Sequence, residues 1–206
     1  FYIGSMFRYD RPQAGRMREF HQFGVEALGE ESPALDAEVI LLAYDFLTAL
    51  GLTGLTLKLN SVGCPACRPV YRERLQAYFK EHLPTLCDDC KDRYTRSPLR
   101  ILDCKRDAEQ PFMAGAPAIT DCLCPACTEH FAQVQQHLTA AGVSYELDPR
   151  LVRGLDYYTR TAFEIAYPPL GAQSAVAGGG RYDGLVEELG GNPTPAVGFA
   201  AGLERV

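Results

Sequence analysis

FRYDRPQAGRMREFHQFGVE, residues 7–26, is the stretch on which the architecture turns. Aromatic and polar residues alternate on both sides of DRPQAGRMRE, and Pro12 and Gly15 within it read as a loop between two strands, with GVEAL on the returning strand. The loop and its shoulders carry Arg8, Arg11, Arg16 and Arg18 between aromatics, in a chain whose 26 acidic residues outnumber its 20 basic ones. Cations concentrated against an acidic background mark a seat for a polyanion. Guanidinium forks bind phosphate oxygens in pairs and neutralise charge that shifts during phosphoryl or nucleotidyl transfer. Phe20 is near enough in sequence to stack on a base. The same spacing also suits an arginine-rich solvated hairpin ion-paired to Asp10, Glu19 and Glu26, and spacing alone leaves both readings open.

Further along, Ser32 before Pro33 opens a helix whose stripe is Leu35, Val39, Leu42, Ala43, Phe46, Leu47 and Leu50, ended at Gly51. LTLKL at 55–59 reads as a short strand running into the turn-rich NSVGCPAC. There the character of the chain changes. All eight cysteines fall between 64 and 127, and helical faces follow at Tyr71, Leu75, Tyr78 and Phe79 and again at Phe131, Val134 and Leu138. LRIL at 99–102 reads as brief and extended. Strand patterns resume with VSYEL at 143–147 and AFEIAY at 162–167. The expectation is an α+β protein: a sheet with helices built from 1–61 and 143–206, interrupted by a mostly helical, cysteine-bearing unit over 62–142.

With 206 residues the chain can bury one substantial core, or one core and a small satellite. A formal charge of −6 excludes holding nucleic acid by overall charge, while leaving room for a local basic track. No apolar run reaches the length of a membrane span, and FYIGSMFRYD has neither the charged start nor the apolar middle of a signal peptide, so a soluble cytoplasmic protein is expected.

Cys64/Cys67, Cys87/Cys90 and Cys124/Cys127 are each CxxC, with Cys104 and Cys122 standing apart. Two such knuckles supply four thiolates for a structural zinc, which a small helical insertion has reason to need. Reduced buried thiols and redox disulfides are the competing readings, the last disfavoured in a reducing cytosol, and three knuckles leave the pairing open. His21 reads as a hydrogen-bonded packing residue, and His82, His130 and His137 as helix-surface groups. Gly178, Gly179 and Gly180 before RYDG match neither GxGxxG after a parallel-type strand nor a loop followed by GK[ST], so they read as a tight turn near a sheet.

A second informative stretch is LVRGLDYYTRTAFE, residues 151–164. Tyr157 and Tyr158 offer hydroxyls on stiff amphipathic rings, and Glu26 can accept an N–H from a small heterocycle or an ammonium group. With Arg153 they suit a small polar pocket. Half-buried strand tyrosines and a surface arginine are the alternative.

Taken in order, these stretches resemble the histidyl-tRNA synthetases, a family of class II aminoacyl-tRNA synthetases. FRYDRPQAGRMREFHQFGVEALG is similar to the class II second motif in its histidine-specific form, and LVRGLDYYTRTAFE to the family's histidine signature. AVAGGGRYDGLVEELGG with AVGFAAGLERV is similar to the third motif and its approach. The resemblance implies a mixed, mainly antiparallel sheet flanked by helices, with the cysteine-bearing unit inserted between the second and third motifs.

By position it also implies roles. Arg8 would hold the α-phosphate of ATP, Arg16 the outer phosphates, and Phe20 would lie against adenine with Asp10 near its amino group. Arg205 would cover the other adenine face and meet the γ-phosphate. Gln22 would help place histidine, Glu26 and Tyr158 would read its imidazole, Tyr157 would share that pocket, and Arg153 would lie near the reacting α-phosphate and carboxylate. The implied reaction is activation of L-histidine by ATP with Mg²⁺ to histidyl-adenylate and pyrophosphate, then transfer to tRNA(His), in an enzyme that is a homodimer at full length.

The family's first motif and its anticodon-binding domain are expected outside Phe1–Val206, so the chain is expected to be a catalytic-core piece. Asp10 stands where the class usually has glutamate, which shortens its reach by a methylene. The resemblance carries no zinc site. Two competitors stand beside it. One is the family's non-catalytic relative that regulates ATP phosphoribosyltransferase, whose members typically degrade the motifs that Arg8, Arg153, Tyr157, Tyr158 and Arg205 keep intact here. The other is an RNA-binding module whose inserted unit clasps the tRNA acceptor arm.

Overall fold

A computed structural model describes residues 1–9, 12, 17–104, 106–152 and 157–206. Strands β1 (Tyr2–Phe7) and β2 (Glu19–Leu28) pair antiparallel, with Phe7 opposite Glu19, so the hairpin read from residues 7–26 forms. Asp10, Arg11 and residues 13–16 of its loop lie outside the described residues.

Five more strands complete the sheet: β3 (Thr56–Ser61), β4 (Glu146–Leu147), β5 (Thr159–Ala166), β6 (Ala175–Arg181) and β7 (Ala196–Gly202). Their order is β1-β2-β7-β6-β5-β3-β4, antiparallel at every pairing except β3 with β4. The glycines at 178–180, expected in a turn, lie inside β6. A Cβ on Gly179 would overlap the Gly198 carbonyl, so the close approach of β6 to β7 is what excludes a side chain there.

Helix α1 (Pro33–Ala49) starts as the Ser-Pro pair predicts: the Ser32 side chain accepts the Ala34 N–H and Pro33 takes the first turn. Its buried stripe is Asp36, Ala37, Val39, Ile40, Ala43 and Leu47, while Leu42 and Leu50 are 47% and 53% exposed. The row through 36, 40, 43 and 47 faces the sheet, which turns Leu42 to solvent. The other described helices are α2 (Arg68–Lys80), α3 (Asp88–Arg96), α4 (Pro125–Ala140) and the single turn α5 (Leu185–Glu188).

Two cores result. In the first, Val39, Ile40, Ala43 and Leu47 of α1 and Phe131, Val134 and Leu138 of α4 bury against Leu57, Leu59, Phe163, Ile165, Val197 and Phe199 of the sheet. Residues 125–140, which composition groups with the insertion, thus pack beside α1. In the second, Tyr71, Leu75 and Phe79 of α2 meet Leu86, Cys90, Ile101, Leu102, Met113 and Ile119. LRIL, expected to be extended, bends instead through a 3₁₀ turn at Pro98–Ile101, since a unit of short helices buries Ile101 and Leu102 through a turn.

One polar cluster crosses the first core. Asp36 and Arg181 are both fully buried, with Arg181 Nε donating to Asp36 Oδ1 at 2.8 Å. The Arg181 guanidinium also reaches the Glu30 carbonyl and Asp183 Oδ1, each at 3.0 Å. His130 Nε2 is 2.7 Å from Asp36 Oδ2, and the Thr161 hydroxyl donates to the same oxygen. His130 is therefore a buried core group, not the helix-surface residue expected from its neighbours. Burial pushes the Asp36 carboxyl up, but hydrogen bonds from His130, Arg181 and Thr161 outweigh it and hold the group below its ordinary value. Among the described residues no helix is long and apolar enough to cross a membrane.

Candidate active site

The face of the sheet away from α1 and α4 is where polar groups collect. Along β2, Phe23, Val25 and Ala27 pack on the helical core, which turns Gln22, Gly24 and Glu26 to the opposite face by the two-residue period of a strand. On β7 the same alternation leaves Gly198, Ala200 and Gly202 there. Register then builds rows across the strands. Tyr2, Gly24, Ala200 and Gly178 align in one, and Glu26, Gly198 and Gly180 in the next. The floor is small residues and the walls are large ones. A Cβ on Gly24 would overlap the Tyr2 ring, and one on Gly198 would overlap the Glu26 carboxylate.

The resulting cavity, of about 310 Å³, is lined by Tyr2, Gln22, Glu26, Tyr157, Tyr158 and Tyr182 over that floor. Tyr157, Tyr158 and Tyr182 form an aromatic wall, with ring centroids 4.7, 5.8 and 6.4 Å apart. The Tyr182 hydroxyl donates to Glu26 Oε2. Burial pushes the Glu26 carboxyl above its ordinary value, and the Tyr182 hydrogen bond offsets part of this. Burial, followed by the hydrogen bond to Glu26, pushes the Tyr182 phenol up. Such a pocket, a carboxylate acceptor among hydroxyls and rings, suits a small planar group with N–H donors.

Beside it stand two arginine sets. Arg8, just beyond β1, lays its guanidinium carbon 3.6 Å from the centroid of the Phe20 ring, and its backbone N–H donates to the Arg18 carbonyl at 2.8 Å. Arg205 lies in the 3₁₀ turn Leu203–Arg205 after β7, where its Nη1 donates to the Ala175 carbonyl at 2.7 Å. That turn is fastened to β2 by Glu204, which accepts the His21 N–H at 2.7 Å and lies 2.9 Å from His21 Nδ1. On the insertion side, the guanidinium of Arg68 donates to the Tyr158 carbonyl. Arg68, Arg72, Arg96, Arg100 and Tyr158 line a second cavity of about 480 Å³.

Residues 1–66 and 110–206 match the family model for histidyl-tRNA synthetase. The chain belongs to the histidyl-tRNA synthetase family. It is 61% identical over 206 residues to the histidine--tRNA ligase of Desulforamulus reducens, covering 100% of this chain and 49% of that protein. The apo S. aureus histidyl-tRNA synthetase superposes with a TM-score of 0.76 at 40% identity, over 99% of this chain and 48% of that one. A Bacillus halodurans protein described as an ATP phosphoribosyltransferase regulatory subunit/histidyl-tRNA synthetase shares the fold, with a TM-score of 0.66 at 23% identity, covering 98% of this chain and 56% of that one. The chain spans about half the length of the curated relatives it matches.

Set against the histidyl-tRNA synthetase motifs, the structure brings Gln22, Glu26, Tyr157 and Tyr158 to one cavity and puts Arg8 on Phe20. Asp10, Arg16 and Arg153 lie outside the described residues. Sequence reading did not single out Tyr2 or Tyr182. The alternation of β1 and the RYDG segment contained both, but only cross-strand register shows that they close the same cavity. The cysteines also sort themselves: Cys64, Cys67, Cys124 and Cys127 form one group, and Cys87, Cys90 and Cys104 form another with Asp107. Cys104, which seemed isolated, is thus a member of a set.

Proposed function

We propose that this chain is catalytic core of a histidine--tRNA ligase. The convergence of Gln22, Glu26, Tyr157 and Tyr158 on a single polar cavity carries the reading, supported by the family membership. Glu26, oriented by Tyr182, accepts an imidazole N–H of the substrate, while Tyr157 and Tyr158 flank the ring and Gln22 helps place the amino acid. A carboxylate oxygen of histidine attacks the α-phosphorus of ATP. The bond to the bridging oxygen breaks, histidyl-adenylate forms, and pyrophosphate leaves with the Mg²⁺ that entered as part of the nucleotide substrate. A hydroxyl of the terminal ribose of tRNA(His) then attacks the activated carbonyl carbon, and AMP leaves.

The protein's task is alignment and stabilisation of charge at phosphorus, for which no protein nucleophile is needed. Arg8 and Arg153 serve the α-phosphate, Arg16 and Arg205 the outer phosphates, and Phe20 with Asp10 the adenine. Arg8 rests on the ring assigned to adenine, so ATP binding is expected to move it from Phe20 to the α-phosphate. The arginine-lined cavity beside Tyr158 supports an approach of the tRNA end from the insertion side. The full-length protein would act as a cytoplasmic homodimer.

Histidine-dependent ATP–pyrophosphate exchange tests the reading. Arg8→Ala is expected to lose on the order of 10² or more in rate, as a transition-state charge contact is removed. Glu26→Ala is expected to raise the KM for histidine, because an imidazole N–H is left unpaired in a closed pocket. Unchanged exchange in Arg8→Ala, or an unaltered histidine KM in Glu26→Ala, would overturn the corresponding assignment.

A further inference from the structure

The insertion leaves and rejoins the sheet through the same tetrapeptide used twice. Cys64-Pro65-Ala66-Cys67 leads from β3 into α2, and Cys124-Pro125-Ala126-Cys127 leads into α4. Each turn closes on the carbonyl of its first cysteine: the N–H groups of Cys67 and Arg68 reach Cys64 O at 3.0 and 3.2 Å, and that of Thr128 reaches Cys124 O at 3.0 Å. The turns then meet. Cys64 Sγ is 3.6 Å from Cys67 Sγ and 3.9 Å from Cys124 Sγ, 60 positions away, and the Cys124 N–H donates to Cys67 Sγ at 3.1 Å. All four sulfurs lie within 4.8 Å of one another.

These separations select among the readings of a cysteine cluster. A disulfide brings two sulfurs to about 2.05 Å. Four sulfurs at about 2.3 Å from a shared tetrahedral ion are about 3.8 Å apart. The distances between these sulfurs fit the second pattern, and a backbone N–H directed at sulfur is what a thiolate needs.

The second set repeats the plan with one substitution. Cys87 and Cys90 flank the start of α3, and Cys104 and Asp107, again three apart, follow the 3₁₀ turn at 98–101. Cys87 Sγ is 3.7 Å from Cys104 Sγ. Asp107, only 2% exposed, accepts the Cys87 N–H with its oxygens at 3.2 and 3.3 Å. Its sequence neighbour Arg106 pairs with Asp89 at the surface, at 3.6 Å, and adds only a weak long-range attraction to Asp107 itself. A buried carboxylate among three thiols calls for a cation at their centre.

We infer that this chain carries two structural zinc sites, Cys64/Cys67/Cys124/Cys127 at the neck of the insertion and Cys87/Cys90/Cys104/Asp107 within it. Both sets are closed, with four protein ligands and no position left for a substrate, and sulfur-rich tetrahedral donors select zinc over hard cations. The neck site joins the first residues of the insertion to the start of α4, and the inner site ties α3 to the turn beneath it. A second core as small as this one has need of such staples.

The test is the metal content of the protein purified without chelator, by plasma mass spectrometry. Two zinc ions per chain are expected. Cys124→Ala and Cys104→Ala are each expected to lose one and retain the other, and Cys122→Ala, outside both sets, to retain both. Should a cysteine variant fail to fold, cobalt exchange into the wild-type protein supplies an independent reading: tetrahedral ligand-field bands with sulfur-to-cobalt charge transfer are expected at two equivalents. Folded protein free of metal, disulfides within either set, iron in place of zinc, or an octahedral cobalt spectrum would overturn the inference.

Discussion

Glu26 and Gly198 face each other across β2 and β7, and the pocket depends on one of them having no side chain. A methyl group at 198 would occupy the space of the Glu26 carboxylate and crowd the Val25 carbonyl. Gly198→Ala is therefore expected to push Glu26 off Tyr182 and raise the histidine KM at least tenfold. Overpacking of this kind costs about 1–3 kcal/mol, small enough for the fold to survive. Comparing KM with Tm in the same variant checks this; a fall in Tm with unchanged KM would place the strain elsewhere. Residue type marks Glu26, Tyr157 and Tyr158 as candidates for one polar pocket while leaving half-buried strand tyrosines open, and the fold places all three around a single cavity. Residue type does not mark Gly198, because its contribution is space, and space exists only once β2 and β7 are in register.

At the level of elements, the buried Asp36–Arg181 pair joins α1 to β6, while His130 and Thr161 bring α4 and β5 to the same carboxylate. Removing one member of a buried, hydrogen-bonded pair typically costs about 3–5 kcal/mol, since the partner charge is stranded. Asp36→Asn is expected to lose stability of that order in urea unfolding at neutral pH. The sign of the pH effect follows from the lowered folded-state pKa. The stabilisation is complete above the ordinary value of 3.8 and is lost as pH falls through the folded value, so the wild type should weaken steeply on acidification. Asp36→Asn should show a flatter acid limb, and parallel limbs would dissociate Asp36 from acid unfolding. This cluster also marks where sequence reading stopped. Strands β1 to β5 and helices α1, α2 and α4 are legible by period and by Ser-Pro and Gly signals, whereas β6 reads as a glycine turn, β7 as a small-residue segment, and α3 carries little apolar surface beyond the buried Cys90. His130 looked like a surface group because the carboxylate that buries it is 94 positions away.

Across the whole molecule, two cores share one chain, and the larger lies between the sheet and the α1–α4 pair. The smaller core, drawn from residues 71–119, is expected to open as its own unit. Native-state hydrogen exchange should find the amides of α2 and the 3₁₀ turn at 98–101 exchanging at lower free energy than those of β5, β6 and β7. A single common opening energy would mean that the insertion and sheet unfold together. The neck of the insertion has another bearing. Because Cys64 and Cys67 meet Cys124 and Cys127, the chain departs and returns at nearly one point. Whatever lies between those anchors can lengthen, shorten or be replaced at a closure cost that grows only with the logarithm of its length, leaving the strands undisturbed. The family model passes over residues 67–109 and resumes at 110. The neck thus works as a socket: an appendage of another length can be seated between its two anchors without displacing the strands that build the pocket.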